Sequence, residues 1–223
     1  MPRLFLSFTG VLLALSAAAC GVQGSGVAAE ERREVPVFQA LDASGAVSVT
    51  LTVKPGLAAP EEPIELTVSG DDNLVPEVET AVEAGVLVVR VRGDRDLDPT
   101  LPLRVTAAVP ALSASRSSGT AEVQVHGLDG DVFLVEASDS SDVVLSGRTS
   151  ALRIESSGSA DIAARDLAAG EVTVDSNGSS DVEVCAEDTL QVTASGQSDV
   201  TYFCSPAEVD QEVRESADVR AGE

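Results

Sequence analysis

The chain has no Trp, one Tyr, one His and one Met among its 223 residues. A single His with few Cys makes a poor structural zinc site, which wants four ligands. Without Trp, and with one Tyr, the aromatic platforms suited to sugar stacking are largely missing. Positive charge is also scarce: 14 Lys plus Arg face 37 Asp plus Glu, a formal net charge of −23. No nucleic acid is expected as a partner, nor an anionic lipid surface, because both would be repelled. A solvated acidic surface, cations or basic partners remain. A sustained helical period is missing from the body of the chain, and the one long apolar run lies at its start.

That run reads as an export signal. Arg3 precedes "LFLSFTGVLLALSAAA" and then Cys20. The stretch is short for a membrane span, which needs about 20 residues. A small-residue run ending in Cys resembles a bacterial lipoprotein signal, although Ala17 stands where Leu is usual. Residues 1–19 are therefore expected to be removed and Cys20 to carry lipid. Gly21 and Val22, in place of an Asp after the Cys, point to the outer membrane. Residues 20–35 lack an apolar period and are expected to be a flexible tether. Residues 206–223, charged and opened by Pro206, are expected to be a frayed helix or a disordered tail.

What is abundant is β-signal. "VSVTLTV", "IELTVS", "VLVVRV" and "LRVTAAV" alternate or run apolar, separated by "KPG", "GDD", "EAG" and "RGD". The "RGD" at 92–94 is read as a turn, not as an integrin ligand. From about residue 117 a cassette recurs: small polar residues and a glycine, an acid, then a short apolar-led strand. Its aspartates are Asp142, Asp161, Asp181 and Asp199, at intervals of 19, 20 and 18, with Glu122 twenty residues before Asp142. A second strand lies midway in each unit. A meander closed into a sandwich could give a strand every ten residues. A corner that returns once per two strands instead predicts an all-β fold, a single-stranded parallel β-helix with coils of 18–20 residues. Equivalent corners would then stack at about 4.8 Å.

In order along the chain, Phe38, Gly45–Val49, "GDDNL" from Gly70 to Leu74 and the four cassettes resemble the head GIN domain family, labelled as auto-transporter adhesin heads. The resemblance covers about residues 36–205. It implies a right-handed β-helix in a secreted or lipid-anchored bacterial protein of the cell envelope. It brings no established catalytic residues. The second Gly of the family's corner motif is Ser141, Ala160, Ser180 or Ser198 here, which suggests looser corners.

Three chemical readings follow. Asp142, Asp161, Asp181 and Asp199 could serve a polysaccharide hydrolase or lyase, but identical corners do not separate an acid from a base. The same row could take Ca2+ through oxygen ligands, or simply accept hydrogen bonds from corner amides. His126 is expected at the surface. The leading reading is a non-catalytic envelope lipoprotein whose rigid face binds a glycan or an envelope protein. Finally, Cys185 and Cys204 sit within one residue of equivalent places on successive coils, so a disulfide is expected. A bulge near Tyr202–Phe203 would repair the offset.

Overall fold

The computed structural model describes residues 21–57, 62–94 and 96–222. Its strands are β1 (Val22–Gln23), β2 (Ala28–Val35), β3 (Ala40–Ser44), β4 (Ser48–Val53), β5 (Ile64–Asp71), β6 (Val78–Glu83), β7 (Val86–Val91), β8 (Leu97–Asp98) and β9 (Arg104–Val109). There follow β10 (Ala114–Ser118), β11 (Glu122–Ala137), β12 (Asp142–Ser156), β13 (Asp161–Gly178), β14 (Asp181–Gly196), β15 (Asp199–Phe203), β16 (Glu208–Val213) and β17 (Asp218–Ala221). Successive coils pair in parallel, giving a β-solenoid of about five turns. No described helix is long and apolar enough to cross a membrane.

The long strands β11 to β14 are each most of a coil. Each runs along the face after the corner, bends through a register shift, and continues to the next corner. The shifts fall between Val125 and Leu128, Val144 and Ser146, Ala164 and Ala168, and Ala169 and Glu171. Side chains alternate inward and outward, because a strand has a period of two. Val123, Val125, Phe133 and Val135 point in, and Val143, Leu145, Leu152 and Ile154 lie directly above them. Burying one such side chain is worth about 1.5–3 kcal/mol. Stacking identical positions turns each coil's short apolar set into one continuous core.

The first half is not a simple run of coils. β3 and β4 form one coil with the corner at Gly45, but β7 and β9 flank it on the side away from β10 and β11. The chain therefore lays down the β3–β4 coil, makes the end of the solenoid, and crosses back to continue. That end is closed by antiparallel strands: β5 on β9, β2 on β5, and β6 on β7. The run from Arg92 to Asp94 is a single turn after β7, with Arg92 held by Glu79 at 2.9 Å.

Both flanks differ from the expectation. The supposed tether is clamped: β1 pairs with β8, and β2 pairs along its whole length with β5. Its acids and arginines hide the strand signal, yet Arg33 turns toward the body of the fold and donates to Val75, Val78 and Thr80. The supposed tail is a further coil, β16 pairing β14 and β17 pairing β15. Its "SADV" from Ser216 is another cassette, with Asp218 nineteen residues after Asp199. Cys20 lies outside the described residues.

Cys185 and Cys204 form the expected disulfide, with Cα atoms 5.1 Å apart. The offset is absorbed differently from the expected bulge. Cys185 pairs with Phe203, and Cys204 leaves the strand with φ +70°, turning its side chain back.

Candidate functional site

The four cassette aspartates do stack. Glu122, Asp142 and Asp161 are successive register partners, Asp181 pairs with Asp199, and Asp199 with Asp218. Asp161 and Asp181 directly precede the paired Ile162 and Val182. Six carboxylates thus form one outer edge. Each begins a strand just after the corner, where its side chain must point outward because the next residue points in. Burial and the flanking Asp161 and Glu122 push the Asp142 carboxyl above the ordinary value of 3.8. Among the described residues, the last rungs alone meet a cation: Arg220 lies 2.9 Å from Asp218 and 3.9 Å from Asp199. Among the described residues, no three His, Cys, Asp or Glu side chains are grouped to hold a metal.

The corner behind the ladder explains its regularity. The left-handed position falls at Gly45, Gly119, Asp139, Gly158, Gly178, Gly196 and Glu215. A Cβ on Gly178 would meet the Gly158 carbonyl oxygen at 2.4 Å, so this column needs glycine for contact as well as for φ. Asp139 is tolerated because it faces Gly119, whose amide donates to its carboxylate at 3.1 Å. The positions expected to loosen the corner, Ser141, Ala160, Ser180 and Ser198, are instead fully buried. Ser141 donates to the Ser138 carbonyl at 2.9 Å, and Ser198 to the Ser195 carbonyl at 3.0 Å. Ser156, Ser176 and Ser180 form a closed hydroxyl triangle of 2.8–3.1 Å. These bonds satisfy hydroxyls whose burial would otherwise be costly.

His126 is half-buried rather than at the open surface, and its Nδ1 lies 3.0 Å from Ser146 Oγ on the next coil. Asp166 is the rung beyond Ser146, and Thr52 the rung beyond His126. The serine therefore stands between the imidazole and the acid. A hydrolytic triad needs the imidazole in the middle, so this row lacks that order.

The "GDDNL" turn has a structural task. Asp71 is fully buried and accepts amide N–H bonds from Gly26 at 2.6 Å, Thr100 at 2.9 Å and Leu101 at 3.0 Å. Burial pushes its carboxyl up, but the amides of Leu101, Gly26, Thr100 and its own backbone outweigh that and hold it below 3.8. Asn73 bonds Ser25 and Gln23, and Asp72 accepts from the Ser25 hydroxyl. The motif pins the segment that follows Cys20.

One surface feature was not recognised in the sequence. Val132 and Leu134 point outward, 52% and 43% exposed. Leu134 continues a row through Ala114, Ala40 and Val86 across four strands. With Val88 they line a concavity of about 470 Å³ rimmed by Asp42, Glu83 and the Arg116–Glu136 pair. The signal was present: in "VFLV" from Val132 to Val135 a strand can bury only alternate residues.

A family model described as "Putative auto-transporter adhesin, head GIN domain" matches residues 37–206. Among solved structures, the chain is similar to one described as a "putative adhesin" from Bacteroides fragilis, with TM-score 0.71 and 19% identity over 90% of this chain and 100% of that one. Another so described, from Parabacteroides distasonis, gives TM-score 0.62 and 22% identity over 90% and 99%. A third, from Parabacteroides merdae, gives 0.59 and 19% over 91% and 99%. At these identities the likeness is one of fold. No curated protein matches the chain.

Proposed function

The chain belongs to the head GIN domain family, and from that premise we propose that it is a non-catalytic lipoprotein of the bacterial cell envelope. Its right-handed solenoid presents a rigid surface for adhesion, through a glycan or an envelope protein. Cys20 carries the lipid, and the outer membrane is the membrane it enters.

The observation that carries the binding role is the apolar groove around Leu134. An exposed apolar concavity with a charged rim is characteristic of an interaction site. The rim acids Asp42 and Glu83 suit a cationic group, while Arg116 is already occupied by Glu136 at 2.6 Å. Of the two partner classes, this chemistry favours a polypeptide segment with an apolar and a basic side chain. Catalysis on the aspartate ladder is disfavoured because its carboxylates occupy one equivalent corner position on successive coils, with no separate acid and base site built among the described residues.

The test is panning of residues 21–223 against a displayed peptide library, beside a glycan array. Enrichment of peptides combining apolar and basic residues, lost in Leu134→Glu, supports the reading. Glycan binding untouched by Leu134→Glu would move the site to the polar faces, and no binding to either would sink the proposal. Palmitate labelling of the full chain, lost in Cys20→Ser, tests the anchor separately.

A further inference from the structure

The two ends of the solenoid are built differently. The end at β7 and β9 is closed by antiparallel strands, with Arg33 donating to the Val78 carbonyl oxygen at 2.6 Å and to that of Val75 at 3.2 Å. At the other end, β17 pairs with β15 on one side and with no described strand on the other. The residues that would face a core there are half-covered: Val209 is 39% and Val213 42% exposed, and Ala217 and Val219 are intermediate.

The backbone pattern of β17 is specific. Asp218 donates its N–H to Ser198 and Gly222 to Tyr202, at 3.0 and 2.8 Å. In a parallel ladder alternate residues turn their N–H and C=O to the same neighbour. Arg220 therefore also faces β15, and Val219 and Ala221 turn their backbone groups to the open edge. Consider β17 placed antiparallel to a second β17 about a two-fold axis through Val219. Val219 meets its own copy and exchanges two N–H···O=C bonds. Asp218 falls opposite Arg220 of the other copy, twice, as a directly opposed pair with Cβ atoms about 4.5–5.5 Å apart. The edge is complementary to itself in both hydrogen bonding and charge. The opposite end finishes in the edge strands β6 and β2, antiparallel to their partners and joined by Arg33, whose sequences do not repeat that of β17, and a two-fold contact terminates itself.

We propose that this edge is a homodimer interface in which two copies join β17 to β17, making one sheet through both solenoids. The formal charge of −23 on the full chain, −24 without Arg3 of the leader, opposes the approach. Raising ionic strength shortens the screening length below about 8 Å and should strengthen the dimer, while the opposed pairs act at contact.

Sedimentation velocity of residues 21–223 across a concentration series, at physiological and raised salt, tests this. A dimer that strengthens with salt is expected. Val219→Pro should weaken it at least about tenfold, yet leave the circular dichroism spectrum of the fold unchanged. Pro removes an N–H that the fold does not use, as edge strands allow. Arg220→Asp should dissociate the dimer, and Asp218→Arg combined with Arg220→Asp should restore it. A chain that stays monomeric throughout, a dimer indifferent to Val219→Pro, or a charge swap that fails to rescue would each overturn the proposal.

Discussion

Replacing Asp142 by Asn should stabilise the protein at neutral pH. Asp142 sits between Glu122 and Asp161 in the register, with rungs about 5 Å apart. Two unit charges at that distance repel by about 0.8 kcal/mol in water. Screening at physiological salt reduces this to about half, so two neighbours together cost about 1 kcal/mol. At 1 M salt about 0.3 kcal/mol survives, and at low salt about 1.4. No hydrogen bond of the Asp142 side chain would be lost among those found. The folded carboxyl has its pKa raised above 3.8. A group raised in this way binds more protons folded than unfolded, so its destabilisation is full above the folded value and fades as pH falls toward 3.8. Asp142→Asn should therefore raise Tm by about 2–4 °C at pH 7 for a chain of this size. The gain should shrink with salt and vanish in acid. Asp199→Asn should gain less, because Arg220 lies 3.9 Å from Asp199. Differential scanning calorimetry at three salt concentrations and three pH values reads all of this. A fall in Tm for Asp142→Asn, or a gain that grows with salt, would refute a repulsive ladder. Calcium that raises the wild-type Tm and erases the variant's advantage would show a bridged one.

Other outcomes follow from the same geometry. Removing the Cys185–Cys204 bond by Cys204→Ser should cost roughly 3 kcal/mol in the chain-entropy model. Hydrogen exchange should then rise first in residues 199–221; equal protection there would argue against a staple. Gly178→Ala combines positive φ with a contact at 2.4 Å and should destabilise by about 2–5 kcal/mol. Gly85→Ala, with φ +82° and open space around it, should cost about 1 kcal/mol, and equal losses in urea unfolding would remove contact as the reason. Asp71→Ala should free residues 21–27 to exchange while the coils beyond residue 122 stay protected. The Asp71 clamp should be complete above pH 3.8 and loosen as pH falls through its depressed value.

The coils and the ladder were legible because one cassette returns at almost constant spacing, and only stacking gives a corner that reason to recur. The disulfide was legible from the same spacing, although φ at Cys204 and not a bulge closes the offset. Three things were not. The strand β2 carries "EERRE", with a charged Arg33 on the face that turns to the fold, so its partnership with β5 leaves no apolar period. The last coil mixes Gln211 among Val209 and Val213 in its inward row, which weakens the core signal, although "SADV" repeats the cassette. The inward Ser141, Ser180 and Ser198 resembled loose corner residues, because a sequence does not reveal hydroxyls bonded to other hydroxyls or to corner carbonyls.

The corner column has a consequence for how this chain can change over generations. Each coil touches its two neighbours and little else, and every coil presents the same corner, ladder position and inward row to the next. A duplicated or deleted segment of one full period would meet compatible neighbours on both sides. Length along the axis is then a heritable variable, adjustable in steps of about 4.8 Å. The closed end and the stapled coil travel with the ends, whatever number of coils lies between them.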